Sequence, residues 1–175
     1  MRSVRTRVAA VRRVLTIGAA VALSGVVLAQ TLAAAKGPKL LEFDSMVGVP
    51  TALTGAAGNQ RGINGAGIAW AVGTTKGELS ATGHLEIKVH GLVFAAGPNT
   101  GSNTITTFRG AVSCLTADGS VVNLLTDPFP ATTGPASAGG GNANIEADLA
   151  IPDPCIAPLV FVTSPGGSWF ATIGG

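Results

Sequence analysis

Across residues 83–94 apolar and polar side chains alternate, with Leu85, Ile87 and Val89 on one side and His84, Glu86, Lys88 and His90 on the other. A period of two marks a strand half buried in a sheet, because successive side chains leave a strand on opposite faces. Residues 77–80 supply a partner strand through Ala81-Thr82-Gly83, so residues 78–89 read as a β-hairpin. The same alternation returns in residues 104–116. There Thr106, Phe108, Gly110, Val112 and Cys114 share one side, and Thr107, Arg109, Ala111 and Ser113 the other. Phe108, Val112 and Cys114 are assigned to the core. Ala117-Asp118-Gly119 then offers the Asp-Gly chemistry of a tight turn into residues 121–125, a second hairpin.

Further strands follow from the same rule. In residues 144–151, Ile145, Ala147, Leu149 and Ile151 face one way and Asn144, Glu146 and Asp148 the other. Residues 159–163 form an all-apolar strand suited to burial on both faces. Residues 168–173 return through Pro165-Gly166-Gly167 as a final hairpin arm. On the N-terminal side, residues 40–49 read as one edge strand ended by Pro50, and 56–67 as a glycine-rich loop leading into 68–72. Residues 132–142 hold almost nothing to bury and read as a mobile surface loop. No stretch of ten or more residues in this part shows a helical period. Seven to nine short strands in about 140 residues predict an all-β fold, a single antiparallel β-sandwich over residues 36–175.

Residues 1–35 have a different character. Arg2, Arg5, Arg7, Arg12 and Arg13 precede an apolar run over residues 14–29, and small residues end at Ala33-Ala34-Ala35. This is the layout of an export signal, a leader helix with expected cleavage after Ala35 or after Ala29. The Arg12-Arg13 pair reads as ordinary leader charge. Without the leader the chain keeps six basic residues against nine carboxylates, a net charge of −3 instead of the +2 of the whole chain. No window clusters the remaining positive charge, so nucleic acid is not an expected partner, nor is a membrane once the leader is removed. The destination is secretion or the cell envelope, and the partner an extracellular ligand or envelope component; oligomeric state is left open.

In an oxidising compartment Cys114 and Cys155 are expected to pair. A reactive thiol or a metal pair lacks the C-x-x-C spacing or a nearby histidine.

Candidate chemistry is sparse. His84 and His90, the two histidines, are six residues apart on one strand, on the order of 20 Å, too far to share a metal. No serine lies in a G-x-S-x-G turn. Glu146 and Asp148 sit about 6.6 Å apart along one strand face, within the range of paired carboxylates in glycoside hydrolysis, although any polar strand face places carboxylates at that spacing. With Asn142 and Asn144 they could offer oxygens to calcium, but no D-x-D-x-D-G loop is present. The glycines of residues 62–67 have the wrong spacing for a dinucleotide loop, and no helix follows them. Trp70 and Trp169 read as core residues rather than an exposed stacking platform. No cofactor or metal is expected.

The segments Thr107-Phe108-Arg109-Gly110-Ala111-Val112-Ser113-Cys114, Pro154-Cys155-Ile156-Ala157-Pro158-Leu159-Val160-Phe161-Val162-Thr163-Ser164-Pro165 and Trp169-Phe170-Ala171 resemble a family of small secreted bacterial proteins with no established activity. The resemblance runs from about Ile63 to the C-terminus. It implies the disulfide and the single domain, and it transfers no catalytic residue. The functional expectation is a non-catalytic extracellular binding or structural module. The alternative is a small secreted hydrolase acting on glycans or esters through Glu146 and Asp148, or through His84 or His90, in a cleft between loops 58–67 and 132–142.

Overall fold

The computed structural model describes residues 37–173. The leader read at residues 1–35, with its expected helix, lies outside the described residues.

The described chain is all-β. In order, its strands are β1 (Lys39–Phe43), β2 (Met46–Gly48), β3 (Trp70–Ala71), β4 (Thr74–Ser80), β5 (His84–His90), β6 (Val93–Phe94) and β7 (Ser102–Asn103). They continue as β8 (Thr107–Leu115), β9 (Val121–Leu125), β10 (Phe129–Pro130), β11 (Gly134–Pro135), β12 (Ala143–Asp148), β13 (Ile156–Thr163) and β14 (Trp169–Ile173). Two antiparallel sheets carry the architecture. The first has the order β1-β4-β5-β12; the second runs β10-β8-β13-β14-β2, with β9 also paired to β8. Both expected hairpins form, β4 with β5 and β8 with β9, and β13 with β14 makes the third.

The apolar rows read from the sequence meet between the sheets. Leu79, Leu85, Ile87, Val89 and Ile145 of the first sheet and Phe108, Val112, Cys114, Val160 and Val162 of the second are all fully buried. Gly110 lies in the β8 row where the sheets approach closely. A Cβ there would stand 2.9 Å from Leu85 Cδ2 and 3.2 Å from Ile145 Cγ2, so a side chain would push the layers apart. Trp70 closes the sandwich, stacked on Phe170 at 4.0 Å and edge-on to Phe108 at 6.3 Å, with Phe94 alongside at 4.2 Å.

The second sheet is also covered on its outer side. Residues 51–69 lie over it, and the indole N–H of Trp169 donates to Gly58 O at 2.8 Å. Trp169, Phe161, Ala111 and Ser113 are almost fully buried as a result. Arg61 and Ala157 both adopt left-handed backbone, φ 50° and 46°, a conformation that costs a non-glycine residue free energy. The Arg61 guanidinium ties them together, donating to Ala157 O at 2.8 Å and to Ser113 O at 3.3 Å. The expected glycine-rich loop is thus a cover for the sheet.

Two expectations change. Residues 40–49 are not one edge strand: the chain turns at Asp44 and Ser45, leaving β1 on the edge of the first sheet and β2 on the edge of the second. The alternation breaks there because the inward positions on either side, Phe43 and Met46, pack against different sheets: Phe43 pairs with Gly77 and Met46 with Ile173. Residues 132–142 are not featureless either. β11 pairs with β7, Thr132 N–H donates to Asn142 O at 2.9 Å and Gly141 N–H to Thr132 O at 2.7 Å. Backbone hydrogen bonds organise a segment that has little side chain to bury.

Cys114 and Cys155 are joined, with Cα atoms 5.0 Å apart and a sequence separation of 41. The bridge ties the end of β8 to the segment entering β13. Closing a loop of that length removes denatured-state entropy equivalent to about 4 kcal/mol. The double variant C114A/C155A is expected to lose about 2–4 kcal/mol of unfolding free energy in urea titrations; an unchanged midpoint would show that the bridge is not a stabilising staple.

The β8–β9 turn carries an electrostatic signature. The Asp118 carboxylate accepts from the Thr116 hydroxyl, from Ser120 N–H at 3.2 Å and from the Ser120 hydroxyl at 3.0 Å. These bonds, Thr116's first, hold its carboxyl below the ordinary value of 3.8. A lowered carboxyl adds stability at pH values above that ordinary value, and the stability is lost as pH falls through the folded-state value. Wild type is therefore expected to melt above D118N at neutral pH, and the gap is expected to close below the ordinary aspartate range. A gap independent of pH would overturn the assignment.

Candidate functional site

The outward residues of the first sheet form the most highly charged surface of the described chain. Strand register aligns Glu42 with Glu78, Glu78 with Glu86, and Glu86 with Glu146, a row of four glutamates across all four strands. The neighbouring row places Lys76 beside Lys88 and Lys88 beside Asn144. On the other side of the glutamates, His84 stands beside Asp148. With Asp44 just past β1, this face and its margin hold six of the nine carboxylates.

Like charges directly opposite one another destabilise a sheet unless countercharges intervene. Here they do. The Lys39 ammonium lies 2.9 Å from Glu42 and 3.3 Å from Glu78, and Lys88 lies 2.6 Å from Glu86. Hydrogen bonding to Glu42 and then Glu78 holds the exposed Lys39 ammonium above its usual pKa. Between the rows the surface sinks into a depression of about 590 Å³, bordered by Glu42, Asp44, Glu78, Glu86, Lys76 and Lys88, with Phe43 and Gly77 completing its lining.

His84 is the one histidine that joins the charged cluster. Its Nδ1 is 2.8 Å from Asp148 Oδ1, and its Nε2 is 3.7 Å from Glu146 Oε1, beyond hydrogen-bonding length. The side chain is 16% exposed, while those of Glu146 and Asp148 are 66% and 86% exposed. A carboxylate on Nδ1 orients a histidine in the way a general base requires, but the position beyond Nε2 then calls for a hydroxyl or thiol nucleophile. Glu146 stands there instead. The nearest serine in the strand pair, Ser80, accepts the His84 backbone N–H at 3.0 Å and shares a hydrogen bond with Thr82 at 2.8 Å.

His90, Arg109 and the two tryptophans are placed apart from this cluster. His90 lies at the far end of β5, opposite Thr74. Arg109 belongs to β8 in the second sheet, where its guanidinium donates to Thr126 O at 2.6 Å and Pro165 O at 3.3 Å. Neither loop 58–67 nor loop 132–142 lines the depression. Trp70 and Trp169 are 3% and 1% exposed, core residues as read. No group of three or more His, Cys, Asp or Glu side chains among the described residues could hold a metal ion.

Sequence reasoning identified Glu146, Asp148 and His84 but not Lys39, Glu42, Lys76 or Glu78. Residues 40–49 and 77–80 were read as strands, whereas the register that aligns four glutamates is a property of strand pairing. Reversing the bridging charge with K39E is expected to lower the thermal midpoint more at about 10 mM salt than at about 500 mM, where the Debye length falls to a few ångströms. Equal losses at both salt concentrations would show that Lys39 acts through packing.

No protein-family profile, curated protein or solved structure matches the chain.

Proposed function

We propose that the protein is exported and acts outside the cytoplasm as a non-catalytic binding module. Its contact surface is the outer face of the first sheet, and its partner is an extracellular or envelope component presenting cationic groups. The observation that carries this reading is the collection of six of the nine carboxylates on and beside one accessible sheet face, four of them bordering a shallow depression. A surface of one prevailing charge attracts a partner of the opposite charge and accelerates its encounter. The leader-like N-terminus, the Cys114–Cys155 bridge and the resemblance to small secreted bacterial proteins all support an extracytoplasmic setting.

A secreted hydrolase is the second reading, favoured by the 2.8 Å contact between His84 and Asp148. In that case Glu146 and Asp148, or His84, carry the chemistry. One set of experiments separates the two. The full chain, expressed with its leader in a bacterial host, is expected outside the cytoplasm with an intact mass beginning at Lys36 or at Gln30. The exported protein is expected to co-sediment with isolated cell envelopes at low salt. The charge-reversed E42K/E146K variant is expected to bind at least about tenfold more weakly while keeping its fold. Binding unaffected by the reversal would overturn the proposal. Release of sugars or of ester cleavage products that disappears in H84A or E146Q would establish the hydrolase instead.

A further inference from the structure

The edges of the two sheets differ in how they are protected. On the first sheet, β1 carries Lys39 and Glu42, and β12 carries Glu146 and Asp148. On the second, β2 is three residues long, and β10 is two residues ending in Pro130. Charges, proline and short length are the devices that keep a sheet edge from pairing with another chain. β9 has none of them. It is the five-residue strand Val121-Val122-Asn123-Leu124-Leu125, without charge or proline. Val121 is 45% and Leu125 36% exposed, and Asn123 is exposed between them.

The hydrogen-bond register shows which backbone groups this edge offers. Thr116 N–H donates to Ser120 O, and Thr126 N–H donates to Gly110 O, both at 2.9 Å. Between these pairs, antiparallel alternation turns the N–H and C=O groups of Val122 and Leu124 toward β8. Those of Val121, Asn123 and Leu125 point the other way, and among the described residues β9 pairs with no other strand.

The residues around this edge are also arranged symmetrically. Reading outward from Asn123, the chain meets Val122 and Leu124, then Val121 and Leu125, then Ser120 and Thr126. Each position has a counterpart of the same chemical kind at equal distance on the other side. A strand with that pattern is complementary to an antiparallel copy of itself about a two-fold axis at Asn123. An isologous contact requires this self-complementarity.

We propose that β9 is a homodimer seam, pairing antiparallel with β9 of a second copy about a two-fold axis at Asn123. Asn123 faces its own counterpart, and Val121 faces Leu125 of the partner on both sides of the axis. All three pairs are of the hydrogen-bonded type, so about six backbone hydrogen bonds form, and the second sheet continues across the dimer. The seam lies on the second sheet and leaves the charged face of the first sheet available for a different partner.

Sedimentation velocity on the exported, oxidised protein tests this. At about 100 μM the wild type is expected to sediment as a dimer, the range of a modest interface. V121K/L125K opposes lysine to lysine at two places and is expected to weaken the dimer at least about tenfold, with unchanged far-UV circular dichroism. V121K/L125E opposes lysine to glutamate at the same two places and is expected to restore it. A wild type that stays monomeric, a dimer untouched by V121K/L125K, or no recovery in V121K/L125E would each overturn the proposal. Amide exchange provides a readout that needs no variant. Protection of the Val121, Asn123 and Leu125 N–H groups is expected to rise with protein concentration while that of Val122 and Leu124 does not; protection independent of concentration at all five positions would overturn the seam.

Discussion

The pairing of β8 with β13 is the constraint on which the other parts of this structure depend. β8 is buried on both faces from Gly110 to Cys114, and β13 from Val160 to Thr163. One face meets the first sheet through Phe108, Val112, Val160 and Val162, and the other meets the 51–69 cover through Ala111 and Phe161. A strand in that position needs apolar or small side chains at nearly every residue, and these two have them. The pair is held covalently at one end by Cys114 and Cys155, and the Arg61 guanidinium reaches carbonyls on either side of the bridge, at Ser113 and Ala157. With the pair in place, β14 and β9 add to its flanks, Trp169 anchors the cover, and the first sheet closes the core.

The distribution of charge follows from the same layering. The second sheet has a buried inner face and a covered outer face, so it offers little area where a charge stays hydrated. Arg61 and Arg109, the two arginines of the described chain, direct their guanidinium groups to backbone carbonyls there. The outer face of the first sheet has no such cover, and the carboxylates collect on it. Burying a charge without a partner is costly, whereas an exposed sheet face accepts charge in rows if countercharges stand between them. Lys39 and Lys88 take that role. The acidic excess of the described residues is thereby concentrated on one surface.

Particular residues show how far the sequence could be read. The core positions Leu85, Ile87, Val89, Phe108, Val112, Cys114 and Ile145 were legible because a strand's period of two is local. Asp118-Gly119 was legible as a turn because its chemistry lies within a few residues, and Gly119 indeed sits at φ 83°. The break at Asp44 and Ser45 was not legible, since ten residues of plausible strand say nothing about which of two sheets they join. The role of residues 51–69 was also hidden, because a glycine-rich segment reads as a loop whether it faces water or covers a sheet.

The sequence alone determined that the chain builds half-buried antiparallel strands, that two cysteines in an oxidising setting pair, and which side chains face inward, because alternation, turn chemistry and cysteine content are carried by neighbouring residues. Only the tertiary structure decided that four glutamates stand in one row, that His84 meets Asp148 while Arg109 lies on another sheet, and that β9 is left as an unprotected edge. Each of these depends on strand order and register, which are set by contacts between residues far apart in the chain.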